Sequence, residues 1–392
     1  MILIEGKYTE AKIFTDQVED SAEGQIRKLC DQPFAAGSRI RIMPDVHAGA
    51  GCAIGTTMTI KEKVVPNLVG VDIGCGVETV MIEEKRIDLP KLDSMIHERI
   101  PAGTSIRKKP HRSVDEVGIF DLRCIDAVNI DRGELSLGTL GGGNHFIEVD
   151  KDDEGNLYLV VHSGSRNLGL QVAQYYQNKG YEALGGKKQD EIPYDLAYVE
   201  GGLMEDYVHD MHLMQVFADV NRQAIVDEIL RGMKLSEAAR FSTIHNYIDM
   251  GHWILRKGAV SARAGETLLI PVNMLDGSLI CTGLGNPDWN ESAPHGAGRL
   301  MSRSAAKQSF TLSSFQKEME GVFTTTVSNE TLDECPRAYK SIEDITRQIV
   351  DTVRIEKRIR PIYNFKAGEN ASYGRGGKGG RGDRRKKDKR RN

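Results

Sequence analysis

Five short segments carry the side chains with the most chemistry to offer: Val71-Asp72-Ile73-Gly74-Cys75-Gly76, Gly143-Asn144-His145-Phe146, Val161-His162-Ser163-Gly164-Ser165-Arg166, His245-Asn246-Tyr247 and His295-Gly296-Ala297-Gly298-Arg299. Most of their polar residues sit beside glycine or at the end of an apolar run, where a strand gives way to a turn and a side chain is presented rigidly. One carboxylate, one thiolate and several imidazoles spread over about 220 residues of chain make a poor structural zinc clip, whose ligands come in close pairs. They make a good catalytic metal centre. The mixture of Asp72, Cys75, His145, His162 and His245 suits a borderline divalent ion such as Mn, Zn, Fe or Co. A thiolate has lone pairs enough to bridge two ions, so the set also suits a two-metal site. Asp72 and Cys75 lie three apart in a turn where Gly74 and Gly76 remove steric walls, so both can aim at one point.

His295 reads differently. It follows Pro294 and precedes Gly296-Ala297-Gly298-Arg299, an open backbone with a cation beside it. An imidazole so placed reads as a nucleophile toward phosphorus, able to form a phosphoramidate and split one hard step into two. Ser163-Gly164-Ser165-Arg166 supplies N–H groups, hydroxyls and a guanidinium suited to phosphate oxygens. Arg256, Lys257 and Arg263, set among glycines and small residues, read as a polyphosphate cradle. His97, His111, His209, His212 and His252 read as ordinary core or surface histidines, and Cys30, Cys124, Cys281 and Cys335 as small buried hydrophobes.

The elements that must hold these groups are strands first and helices later. Ile40–Met43, Ala53-Ile54, Leu68–Val71, Val77–Ile82 and Leu157–Val161 are apolar runs bounded by glycine or polar residues, and they predict strands. Another strand is expected from about His145. Leu213, Val216, Phe217, Val220 and Ala224 share one face of a helix. Ile342, Ile345, Ile349 and Val353 predict a second helix, stopping before Pro361. Residues 183–210 are polar and mixed and predict a surface loop. Strands and helices interleave without a βαβ rhythm, which predicts one large α+β body over residues 1–372, with mixed or antiparallel sheets and packed helices around the metal pocket.

With 392 residues, 40% of them hydrophobic, the chain can bury a sizeable core. No apolar stretch approaches the ~20 residues that span a bilayer, and the start has no signal-peptide pattern. Six scattered cysteines without CxxC spacing fit reduced thiols and a cytoplasmic location. The net charge of -4 hides an asymmetry: residues 373–392 hold ten Lys or Arg against two Asp, so this segment carries +8 and the rest -12. Rich in Gly, Arg and Lys, residues 373–392 are expected to be a disordered tail, solvating the chain or gathering RNA through its phosphates.

Taken in order, Met43-Pro44-Asp45-Val46-His47, the Val-Gly-Val-Asp-Ile-Gly-Cys-Gly run ending at Gly76, Gly-Asn-His-Phe-Ile-Glu ending at Glu148, His-Ser-Gly-Ser-Arg ending at Arg166, His245-Asn246-Tyr247, the Arg256–Arg263 run and His295–Arg299 resemble the RtcB family over roughly residues 40–368. Members of that family are GTP-dependent RNA ligases that join a 3′-phosphate or 2′,3′-cyclic phosphate end to a 5′-hydroxyl. The resemblance implies that Cys75 bridges two Mn ions, with His162 and His245 completing one site and Asp72 and His145 the other. It implies that His295 becomes guanylylated and that Asn144 and Asn246 hold nucleotide phosphates. Glu148, Tyr339 and Lys366 would line the guanine pocket, with Asn273, Gly296, Ala297 and Gly298 also at the nucleotide. Arg166, Lys257, Arg263 and Arg299 are the candidates for phosphate or RNA. Where the family often has Gly-Ser-Met-Gly, this chain reads Val272-Asn273-Met274-Leu275-Asp276-Gly277-Ser278. The implied partners are RNA and GTP, with an archease-type activator as a further one, for a monomer without a membrane anchor. The competing reading keeps the metals without the ligase step: a binuclear phosphodiesterase or cyclic phosphatase acting on RNA ends, which has no use for His295.

Overall fold

Apolar alternation along the strands builds the larger of the two main sheets in the computed structural model, which describes residues 1–188, 191–368 and 372–373. Its seven strands run in the order Glu237–Ile244, Gly76–Ile82, Leu157–Ser163, Phe146–Lys151, Val353–Lys366, Gly277–Gly283 and Thr267–Asn273, antiparallel throughout. The sheet rolls on itself, and its two edges meet where Leu269 N donates to Thr243 Oγ1 at 3.0 Å. Val77, Phe146, Tyr158, Val160, Leu269, Ile280 and Ile359 fill the inside of the roll. Their neighbours Val80, Ile147, Val149, Leu159 and Val161 face outward, against the helices Leu89–Arg99 and Gly201–Met233. This is the period-two rule of a strand buried on both faces. Each large apolar side chain so covered contributes about 1.5–3 kcal/mol over its exposed state.

The smaller sheet has six strands, ordered Ile2–Glu5, Glu10–Ile13, Ile40–His47, Ile54–Thr59, Ile254–Lys257 and Asn246–Asp249, with one parallel pair, the second with the third. The main hydrophobic core joins it to the helices Asp20–Cys30, Arg166–Ala183 and Gly201–Met233. The chain passes from one sheet to the other at His245, which separates the edge strand Glu237–Ile244 of the larger from the edge strand Asn246–Asp249 of the smaller. The architecture is the expected mixed α+β body.

Three local expectations are overturned. Residues 183–210 are not all loop: the helix Gly201–Met233 starts inside them, and its Met204 and Tyr207 are buried. Leu68-Val69 belongs to a short helix, Pro66–Val69, because Pro66 sits at its N1/N2 position and Gly70 (φ 102°) ends it. The second predicted helix spans only Ile342–Gln348, and Val353 opens the long strand Val353–Lys366. Pro361 lies inside that strand, at a bulge between Pro361 and Tyr363 that tolerates a residue without an N–H. The bulge also reverses the faces. Ile359 points into the roll while Tyr363 and Phe365 point out, so Asn364 and Lys366 point in. The basic tail from residue 374 lies outside the described residues.

Candidate active site

Strand register gathers the predicted ligands. In the larger sheet Ile244 pairs with Gly76, Gly76 with Ser163, and His162 with Phe146. Cys75, His145, His162 and His245 therefore all stand at the same end of four adjacent strands. Asp72 joins them through the turn that follows the Pro66–Val69 helix, where Gly74 N donates to Asn246 O at 2.7 Å and Cys75 N to Asp72 O at 3.2 Å. Gly74 has φ 69°, and a Cβ there would come within 2.8 Å of Gln215 Cα on the long helix. No other residue fits so close an approach without moving that helix.

Two ligand groups result, and they share one atom. Cys75, His162 and His245 offer donor atoms within 4.8 Å of one another, and so do Asp72, Cys75 and His145. Cys75 Sγ lies 3.4 Å from His145 Nε2 and 3.3 Å from His162 Nε2, while Asp72 Oδ2 lies 3.0 Å from His145 Nε2. Burial, reinforced by the neighbouring imidazoles, holds His162 and His245 well below the usual histidine range, so both are neutral donors. Burial would raise the Asp72 carboxyl, but His145 and Arg166 outweigh it and hold it at about 2. The Cys75 thiol is pushed well up, first by burial and then by Asp72. A divalent cation would reverse that preference and take the thiolate. The donor set fits borderline divalent ions, with one sulfur able to serve both groups.

His295 stands beside this centre, its ring centroid 4.9 Å from that of His245. It follows the short strand Ser292–Pro294, and its Nδ1 lies 2.6 Å from Oδ2 of Asp45, which is fully buried. That leaves Nε2 as the nitrogen free for chemistry. Two cavities meet here, and His295, His47 and Asn144 line both. One holds Asp72, Cys75, His245, Asn246 and Lys257. The other holds Glu148, Asn273, Gly296, Ala297, Gly298, Arg299, Tyr339 and Lys366. The predicted nucleotide residues are thus together in the second cavity, except Asn246, which faces the first. Glu148 accepts from Asn364 Nδ2 at 2.5 Å, and burial pushes its carboxyl up to about 7 against the pull of Lys366. The Asn273 side chain is occupied in its own turn, accepting from the backbone of Leu275 and Asp276.

The four candidate phosphate cations fare unequally. Arg299 lines the nucleotide cavity. Lys257 lines the metal cavity, although its Nζ donates to the carbonyls of Ala50 at 3.0 Å and Asn67 at 2.7 Å. Arg166 lies behind the ligands rather than open to a phosphate, with Nη1 3.3 Å from His145 Nδ1 and Nη2 donating to Gly103 O. Arg263 is paired with Asp249 and His252 and lines neither of these two cavities.

A family profile described as "tRNA-splicing ligase RtcB" matches residues 25–123 and 113–367. The chain is 30% identical over 387 residues to the RNA-splicing ligase RtcB of Escherichia coli strain K12, covering 88% of this chain and 94% of that one. It is 29% identical over 418 residues to the tRNA-splicing ligase RtcB of Aeropyrum pernix, covering 82% and 86% respectively. The chain belongs to the RtcB family.

Beyond the residues expected of an RtcB protein, the geometry brings in others that sequence reasoning left without a role. Asp45 appeared only within a motif. Glu334 is a buried anionic hub beneath the nucleotide cavity: it accepts from Tyr339 Oη at 2.7 Å and from Arg303 Nη1 at 2.5 Å, and pairs with Lys366. Burial alone would neutralise it, but Lys366 and Arg303 hold its carboxyl far below the usual range. Asn221 and Arg222, fully buried midway along the Gly201–Met233 helix, pin the ligand turns. Asn221 Oδ1 accepts from the N–H groups of Gly138 and Thr139, and its Nδ2 donates to Ser163 Oγ and Gly164 O. Arg222 Nη1 donates to Gly74 O at 2.7 Å and Ser163 O at 3.1 Å, the carbonyls next to Cys75 and His162. A polar pair inside an apolar helical stripe was the available signal.

Proposed function

We propose that this chain is an RNA ligase that joins an RNA 3′-phosphate or 2′,3′-cyclic phosphate end to a 5′-hydroxyl end, using GTP and two Mn2+ ions. One observation carries the reading: His295 stands where the metal cavity and the nucleotide cavity meet, with Nδ1 committed to Asp45 and Nε2 free. A metal phosphodiesterase would need the ligand groups but not that histidine.

The residues support a three-step course. Nε2 of His295 attacks the α-phosphorus of GTP; the N–P bond forms, the bond to pyrophosphate breaks, and Asp45 stabilises the imidazolium that results. An oxygen of the RNA 3′-phosphate then takes the GMP, freeing His295 and leaving an RNA-(3′)pp(5′)G end. The 5′-hydroxyl of the second RNA attacks the phosphorus of that end, and GMP departs. A cyclic phosphate must first be opened to the 3′-monoester. Manganese, held by Asp72, Cys75, His145, His162 and His245, would supply charge neutralisation at the phosphates. Glu148 suits the N–H edge of guanine, with Tyr339 and Lys366 oriented by Glu334. Residues 1–372 would form the catalytic body, and the basic tail would gather RNA non-specifically.

The test is incubation with Mn2+, GTP labelled at the α-phosphate, and two oligonucleotides of defined ends. The expected result is an acid-labile GMP–protein adduct and a joined product that requires a 3′-phosphate and a 5′-hydroxyl. Trimmed RNA ends without an adduct would instead favour the phosphodiesterase.

A further inference from the structure

Of the ten histidines in the chain, His47 is one whose task the steps above leave open. It ends the strand Ile40–His47, two residues after Asp45. Its Nδ1 lies 2.9 Å from the Asp45 carbonyl oxygen, while the Asp45 side chain holds His295. The backbone and the carboxylate of one residue thus fix two imidazoles. The nucleotide loop closes on the same residue: Gly298 has φ 77°, and a Cβ there would come within 2.6 Å of Asp45 O. His47 is half-buried and lines both cavities, and its Nε2 has no hydrogen-bond partner among the described residues.

The chemistry of the three transfers says where a free imidazole nitrogen is needed. In the first, the nucleophile is His295 itself. In the second it is a phosphate anion. Only in the third is it a neutral alcohol with a proton to lose. Few groups lining the metal cavity can accept that proton. Asp72, Cys75 and His245 belong to the ligand groups, Lys257 is a cation bound to two carbonyls, Asn67, Asn144 and Asn246 are amides, and His295, its Nδ1 held by Asp45, is the group already used to carry GMP.

We infer that His47 is the general base of the sealing step: its Nε2 takes the proton of the 5′-hydroxyl as that oxygen bonds to the 3′-phosphorus and the bond to GMP breaks. The inference rests on the ligase reading. The groups facing His47 agree with it. Burial, helped by His295 and Arg299, keeps the ring below the ordinary histidine range against the opposing pull of Asp45, so it is unprotonated at neutral pH. The Nδ1–H donated to Asp45 O fixes the tautomer that leaves the lone pair on Nε2.

The experiment uses the full chain with Mn2+, an RNA already carrying the 3′-pp-5′-G end and a 5′-hydroxyl acceptor, in single turnover. His47→Asn keeps a donor near Nδ1 but has no base; it is expected to slow sealing about 100-fold, with at least roughly tenfold less effect on GMP transfer to His295. Sealing by His47→Ala should recover with added imidazole, following the unprotonated form of that buffer across roughly pH 6 to 9. Sealing within about threefold of the parent, or GMP transfer reduced as much as sealing, would overturn the assignment. A parent protein that neither forms the adduct nor seals the activated RNA would instead sink the ligase reading itself.

Discussion

Asp45 and His295, 250 residues apart in sequence, meet with Oδ2 of the buried carboxylate 2.6 Å from Nδ1 of the imidazole. This contact chooses which ring nitrogen is available, and it places a carboxylate where the proposed GMP transfer would form an imidazolium. Asp45→Asn preserves size and removes that charge. It is expected to slow GMP transfer to the protein by about 10²–10⁴-fold with an unchanged circular dichroism spectrum. A rate near that of the parent would show that the ring is positioned without it.

Cys75 is the atom common to both ligand groups. Cys75→Ala should lower the bound manganese from about two ions per chain to less than about one, measured by elemental analysis after desalting. Because burial raises the thiol in the metal-free protein, uptake must displace its proton. Metal affinity should therefore strengthen as pH rises, with proton release detectable by calorimetry in buffers of different ionisation heat.

On the proposed guanine contact, Glu148 should give GTP binding a pH dependence of definite sign. Burial lifts its carboxyl to about 7, and only the carboxylate accepts both N–H groups on the guanine edge. Below that pH the Kd for GTP should rise by up to roughly tenfold per unit. Glu148→Gln should bind GTP weakly at every pH and lose this slope in titration calorimetry.

Asn221 holds the ligand turns from the long helix. In Asn221→Ala the buried N–H groups of Gly138 and Thr139 lose their acceptor, at about 1–3 kcal/mol for each group left unpaired. Urea unfolding should show a loss of about 2–4 kcal/mol, and manganese retention should weaken in parallel. A loss under about 0.5 kcal/mol would mean that the turns keep their shape without this side chain.

The basic tail should act on RNA affinity and leave the chemistry alone. Removing residues 374–392 is expected to flatten the dependence of RNA binding on salt concentration, since fewer counterions are released. GMP transfer to His295 should be unaffected. Loss of all ligase activity on truncation would place the binding function in the tail.

Much of the site was legible because each ligand segment carries its own punctuation. Gly74 and Gly76 around Cys75, and the apolar run before His162, mark strand ends, and strand ends are where a sheet presents side chains. The face of Leu213, Val216, Phe217, Val220 and Ala224 likewise appears in the Gly201–Met233 helix, buried or packed against the main core. Failures occurred where local signals mislead. Pro361 reads as a helix stop, but it sits in a bulge of the Val353–Lys366 strand. Only that bulge turns Asn364 and Lys366 toward the nucleotide cavity, and a change of face leaves no trace in composition.

The residues alone determined the chemistry on offer: a thiolate, a carboxylate and imidazoles of borderline metal type, a separate histidine among glycines, and a strongly basic tail. Donor softness and glycine tolerance are properties of residue type and neighbours, so they survive in a linear string. Tertiary structure decided the allocation. Antiparallel register sets four ligands at one sheet end, the crossing at His245 carries the chain from the larger sheet to the smaller, and Asp45 and Glu334 reach His295 and Lys366 from distant segments. Arg166 and Arg263 carry the same charge as Arg299, yet only Arg299 lines the nucleotide cavity. Charge is written in the chain, but the direction in which it points is set by the packing around it.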